Sequence, residues 1–260
     1  MPEILEIEYY RRLALGALRR RITAIATPDG WYLKGATDRA QLEAALVGRT
    51  FVAARRVGKL LLLDVDDGET LGLRFGMTGV LELDDDEGVE QLEYASIRRE
   101  AAWVRFAVSF ADGGELRMRD PRRLGGVELD PAEDRLGIDA LTITPSGLRD
   151  ALDGSRAPLK ARLMDQHRVA GLGNLLTDEI LWRARLDPAR PAGDLDVNDR
   201  RRLHRNLRST LDQLLERGGS HLGELMVARE RGGSCPRCGA VLERRTIGGR
   251  TTYSCPVEQR

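Results

Sequence analysis

Apolar residues Leu5, Tyr9, Leu13, Leu15 and Leu18 recur at near-helical spacing, and Arg11, Arg12, Arg19, Arg20 and Arg21 fill the polar positions between and after them. That pattern predicts an opening helix over 5–21. From residue 21 to about 129 the period shortens. Strand-length apolar runs alternate with turn signals in TPDG at 27–30, LLLLDVDDGET at 60–70, LGLRFGMTGVLEL at 71–83 and WVRFAVSFADGGELRMRD at 103–120. Repeated short strands closed by Asp-Gly and Gly-Gly turns predict a β-sandwich or barrel-like domain over 1–135. The acidic DDDEGVEQ at 84–91 predicts a solvated loop, and the aperiodic, proline-containing stretch around 136–150 a linker. Helical spacing then returns at 156–167, 174–184 and 197–217, with Asn198 or Asp199 as the last helix's cap and Gly218-Gly219 as its end. The fold class is therefore α+β: a sandwich with an opening helix, a helical domain over 151–228, and at 229–260 a CxxC knuckle followed by a hairpin turning at Gly248-Gly249.

The 260 residues carry 41 basic and 41 acidic side chains, so bulk charge gives no reason to coat nucleic acid. The two parts differ, however. Residues 1–154 hold 21 basic and 28 acidic residues, whereas 155–260 hold 20 and 13, which turns the C-terminal part toward an anionic partner. Only Lys34, Lys59 and Lys160 are lysines, against 38 arginines. Where lysine is kept in so arginine-rich a chain, a compact ammonium or a transferable proton is a candidate reason. No run approaches the roughly 20 apolar residues of a membrane span, and MPEILEIE has no signal-peptide character, so a soluble, cytoplasmic, monomeric protein is expected.

Four segments could carry chemistry. Loss of Met1 would leave Pro2 a free secondary amine, partly unprotonated at neutral pH and able to form an iminium with an aldehydic carbon. Glu3 and Glu6 beside it are candidate proton carriers. Lys59, after a glycine at the entry to an apolar strand, would present its ammonium at a hairpin tip. The GLGN turn at 171–174 sits between helical stretches, so its N–H groups and Asn174 could face an anion at a helix N-terminus. It lacks the strand and third glycine of a dinucleotide fingerprint. Cys235, Cys238 and Cys255 have zinc-ribbon spacing, with Glu258 where a fourth cysteine would stand. A Cys3Glu structural zinc site and a metal-free hairpin held by packing are both open, and no organic cofactor is indicated.

With these segments, the chain resembles the formamidopyrimidine-DNA glycosylase and endonuclease VIII family of repair enzymes. The likeness keeps motif order along the whole length: MPEILEIE at 1–8, RRVGKLLLL at 55–63, RFGMTG at 74–79, RDPRRLGG at 119–126, LMDQHRVAGLGNLLTDEILWRARLDP at 163–188, and GGRTTYSCP at 248–256. It implies a helix-two-turn-helix domain at 151–228, a zinc-finger hairpin, and damaged double-stranded DNA as partner, with nucleoid association when bound. The implied activity is bifunctional: a glycosylase and abasic-site lyase in which Pro2 attacks C1′, Glu3 and Glu6 are site acids, and Lys59 contacts DNA at the lesion. Lys160, Asn174 and Arg250 match phosphate-contacting positions. Met77, Arg122 and Leu124 fall where side chains enter the gap left by a flipped nucleotide, which must leave the stack before an amine can reach C1′. Departures are Leu124 for phenylalanine, Leu5 for proline and Arg74 for histidine, together with a short 216–235 stretch that curtails the loop covering a flipped purine. Leu124, Arg74 and the missing fourth cysteine motivate one alternative, a damage-binding protein of the same fold without turnover.

Overall fold

The computed structural model describes residues 2–88, 98 and 100–260. They form two compact units, Pro2 with Glu6–Glu133 and Glu3–Leu5 with Asp134–Arg260. Residues 89–91 of the expected acidic loop lie outside the described residues.

Helix α1 (Ile4–Ala14) opens the chain and gives way to a single 3-10 turn at Leu15–Ala17. The predicted helix to residue 21 is therefore too long. Arg19 takes a left-handed φ of 62° and Arg21 bridges to Thr50, so these arginines belong to the approach to a strand. Strand β1 (Ile22–Ala26) is followed by helix α2 (Arg39–Leu46), which Asp38 and Gln41 begin with a reciprocal capping box. Strands β2 (Phe51–Val57), β3 (Leu60–Val65), β4 (Thr70–Arg74), β5 (Val80–Leu83), β6 (Val104–Phe110), β7 (Glu115–Arg119) and β8 (Gly126–Leu129) complete two antiparallel sheets, ordered β1-β6-β7-β5 and β2-β3-β4-β8. Phe51, Leu61, Leu63, Leu73, Phe106, Val108, Leu116 and Met118 from both sheets share one core with Tyr10 of α1. This is the expected sandwich.

The 136–150 stretch is not a linker. It holds β9 (Ile138–Asp139) and most of α3 (Pro145–Leu152), whose first turn is set by Pro145 and by the Thr144 hydroxyl accepting Gly147 N–H. Helix α4 is confined to Leu159–Leu163, because Pro158 starts it and the chain turns at Met164–Arg168 to enter β10 (Val169–Ala170), the parallel partner of β9. Helices α5 (Asn174–Ala184) and α6 (Val197–Arg217) fall where periodicity placed them. The cap of α6 is Asp196, whose carboxylate accepts Asp199 N–H at 2.7 Å, rather than Asn198 or Asp199. Strands β11 (Glu243–Ile247) and β12 (Arg250–Ser254) form the terminal hairpin. Among the described residues, no helix is long and apolar enough to cross a membrane.

Candidate active site

In the C-terminal unit the site grows from the GLGN turn. Gly171 has φ +112°, and a Cβ there would stand 2.3 Å from an Ile4 side-chain carbon. A Cβ on Gly173 would meet the Glu3 carboxyl carbon, also at 2.3 Å. Both glycines are thus required by the close approach of residues 3 and 4. The wholly buried Glu3 carboxylate accepts Gly173 N–H at 2.7 Å, Leu175 N–H at 2.8 Å and Leu176 N–H at 3.3 Å. The anion that this helix start holds is therefore part of the chain itself. Three N–H donors and the positive end of α5 stabilise the charged carboxylate where water cannot. Asn174 is half-buried beside it, and its Oδ1 is buried without a hydrogen-bond partner.

Lys160 is not where a phosphate could reach it. Its side chain is wholly buried, 2.7 Å from Asp178 Oδ1, and its Nζ donates to Thr251 O at 3.1 Å and Thr252 Oγ1 at 2.8 Å. Two of the ammonium's protons go to these hairpin oxygens, and the Asp178 carboxylate pairs with its charge. Burial lowers its pKa, and the Asp178 carboxylate works against that. Arg250, by contrast, is exposed at the start of β12.

In the N-terminal unit Pro2 is buried and Glu6 is nearly so. Lys59 is half-buried in the two-residue turn between β2 and β3, at the expected hairpin tip, where Gly58 supplies a φ of 56°. The turn carrying Met77 and the loop carrying Arg122 and Leu124 come together. A Cβ on Gly76 would lie 2.4 Å from the Leu124 carbonyl carbon. Leu124 is 51% exposed and Arg122 is exposed, while Met77 is half-buried.

Sequence reasoning missed the residue that joins these loops, Asp120. Its buried carboxylate accepts the Thr78 hydroxyl at 2.6 Å, Gly125 N–H at 2.8 Å and Arg122 N–H at 3.2 Å. One anion thus fixes the neighbour of Met77 and both sides of the Arg122–Leu124 loop. The only signal was an aspartate two residues before Arg122, which tertiary pairing alone makes meaningful.

Cys235, Cys238 and Cys255 bring their sulfurs within 4.8 Å of one another and could hold a metal ion. Burial opposes the Cys235 thiolate, yet hydrogen bonds led by Trp182 Nε1–H, 3.3 Å from its sulfur, outweigh it and lower that pKa. Glu258 lies outside that cluster. Its Oε2 lies 3.2 Å from Arg185 Nε and 3.5 Å from Arg237 Nε, so two guanidiniums hold it as a counter-ion. Three thiols fit three corners of a tetrahedral zinc ion and leave its fourth position open.

A sheet sandwich followed by a helical unit and a cysteine hairpin is an α+β architecture, and the comparisons give it a family. The model of the formamidopyrimidine-DNA glycosylase N-terminal domain matches residues 1–127, and that of the formamidopyrimidine-DNA glycosylase H2TH domain matches 136–224. The Chloroflexus aurantiacus formamidopyrimidine-DNA glycosylase is 32% identical over 282 residues, spanning all of this chain and 98% of its own. The wild-type Lactococcus lactis Fpg (MutM), solved with DNA containing N7-benzyl-Fapy-dG, superposes with a TM-score of 0.84 at 26% identity over the whole of both chains. A complex of Lactococcus lactis Fpg with abasic-site DNA gives 0.83 at 26% identity over 99% of both. This chain belongs to the formamidopyrimidine-DNA glycosylase family.

Proposed function

We propose that this protein is a DNA repair glycosylase with abasic-site lyase activity, acting on damaged double-stranded DNA. The observation that carries the reading is the burial of Glu3 against the start of α5, which fixes the residue joined to Pro2 at the glycine-asparagine turn. With Met1 removed, the Pro2 amine attacks C1′ of the damaged nucleotide and the C1′–N bond to the base breaks; the Glu3 carboxylate takes the proton that the amine sheds and passes it to the leaving base or the ring oxygen, and scission of the C1′–O4′ bond with protonation of O4′ opens the sugar to an iminium. The resulting iminium acidifies C2′. Loss of a C2′ proton then breaks the C3′–O bond, and water releases the amine from the sugar product. Lys59 contacts the DNA at the lesion, Glu6 serves as a second site acid, and Met77, Arg122 and Leu124 fill the vacated stack. Asn174 and Arg250 grip phosphates. Solved relatives in complex with abasic-site and Fapy-dG DNA support the substrate class.

Duplexes carrying a panel of oxidised bases or one abasic site should be cut under low salt. Affinity should fall between roughly 50 and 200 mM salt with a slope of about −0.9 per phosphate neutralised. Tight abasic-site binding with no cleavage over hours would instead favour the damage-binding reading, and a flat salt dependence would remove the phosphate contacts.

Within the same proposal the three cysteines hold a structural zinc, which would tie the knuckle to β12 and leave its fourth position to water. Zinc retention against a chelator should be the same in Glu258→Ala as in wild type, because Glu258 is spent on Arg185 and Arg237. Glu258→Cys should slow zinc loss by about tenfold or more, the scale on which even outer partners alter metal affinity. A faster loss from Glu258→Ala would restore Glu258 as a ligand.

A further inference from the structure

Lys160 and Asp178 form an ion pair with no exposure of either side chain. A pair removed from water in this way is a poor source of stability, since desolvation offsets most of the attraction, but it is demanding about geometry. What it holds is the terminal hairpin, at three consecutive residues. Lys160 Nζ donates to Thr251 O and Thr252 Oγ1, and Asp178 Oδ2 accepts Tyr253 N–H at 3.3 Å. Arg229 closes the cluster, with Nη2 3.0 Å from the same Oδ2. The Thr252 hydroxyl, having accepted from Lys160, donates onward to Arg250 O at 3.1 Å.

The turn before Arg250 is seated on the same short helix. A Cβ on Gly248 would come within 2.8 Å of Ala161 Cβ, next to Lys160. Arg250 therefore stands between a glycine turn pressed on α4 and a strand pinned to Lys160. Asp178 lies one helical turn after Asn174, so α5 carries both a proposed phosphate ligand and the anchor of the other.

We infer that Lys160 is a positioning residue that sets Arg250 for its phosphate through Thr252, without touching DNA itself. This rests on the reading of Arg250 as a phosphate ligand. It accounts for a lysine at a site that its burial closes to DNA, because no other side chain of that length offers three diverging donors from one compact charge.

The test measures affinity for a duplex with a stable abasic-site analogue against salt, in the full-length protein. Arg250→Ala should weaken binding about tenfold and reduce the salt slope by about one. Lys160→Met should do the same, and the double variant should be no weaker than either single one, because both remove a single contact. Thr252→Val, which keeps the Lys160–Asp178 pair, should shift affinity and slope in the same direction, and it carries the test if Lys160→Met does not fold. Wild-type binding by Arg250→Ala would remove the phosphate reading and this inference with it. A weakened Arg250→Ala whose effect simply multiplies with that of Lys160→Met, or wild-type slopes in both Lys160→Met and Thr252→Val, would overturn the positioning role alone.

Discussion

Borohydride reduction of the protein with an abasic-site duplex should give a covalent protein–DNA adduct when Met1 has been removed, and none when it is retained. The difference is electronic. Behind Met1 the Pro2 nitrogen is a tertiary amide whose lone pair is delocalised, and behind nothing it is a secondary amine with a pKa near that of an α-amino group. Pro2→Gly replaces it by a primary amine on a chain without proline's fixed φ, so adduct formation should fall well below wild type. Intact mass of the same preparation reports which terminus is present. An undiminished adduct from protein that keeps Met1, or from Pro2→Gly, would show that another amine attacks, and Lys59 would be the first to examine.

The second large effect is expected at Glu3, where one carboxylate has two tasks. Glu3→Gln should slow base excision by about 10²–10⁴, the usual range for a positioned proton carrier, and should slow cleavage of a preformed abasic site much less. It should also destabilise the C-terminal unit. Gln offers one oxygen where the carboxylate offers two, so one of the N–H groups of Gly173, Leu175 and Leu176 would face an amide NH2. Leaving a buried N–H unpaired costs about 1–3 kcal/mol. Removing the anion from the start of α5 adds about 0.3–2 kcal/mol. Chemical denaturation and single-turnover excision separate the two tasks. Normal excision by Glu3→Gln would remove the proton role, and wild-type stability would mean that the buried N–H groups find another acceptor.

Much of this molecule was readable along the chain. The sandwich followed from strand-length runs between Asp-Gly and Gly-Gly turns, since many short runs closed by such turns leave few alternatives. Helices α5 and α6 were placed by their periodic segments, and the glycine end of α6 was legible, although its cap is Asp196 instead of the expected Asn198 or Asp199. Boundaries failed where a local pattern was overruled by its neighbours. The arginines at 19–21 continued a helical polar face on paper, but the left-handed turn at Arg19 and the bridge from Arg21 to Thr50 took them into the sheet region. The stretch at 136–150 lacked any period because a two-residue strand and a capped helix are each too short to show one.

At the site, the sequence by itself determined which chemical groups are available: an amine-bearing terminus with two acids, a glycine turn before a helix, a hairpin lysine and three thiols. It also showed that the glycine turn wants an anion, because free N–H groups at a helix start always do. Only the tertiary structure decided which anion that is and where each charge points. Glu3 stands 170 residues away from Gly173, Asp120 joins loops 42 residues apart through Thr78, and Lys160 meets Thr252 across 92. Lys160 and Glu258 have the right residue type or spacing for another role, yet Lys160 is buried against Asp178 and Glu258 lies beside a pair of arginines. Spacing limits what a side chain can reach. Its actual partner is set by desolvation, since a charge taken from water must meet its complement wherever packing has brought it.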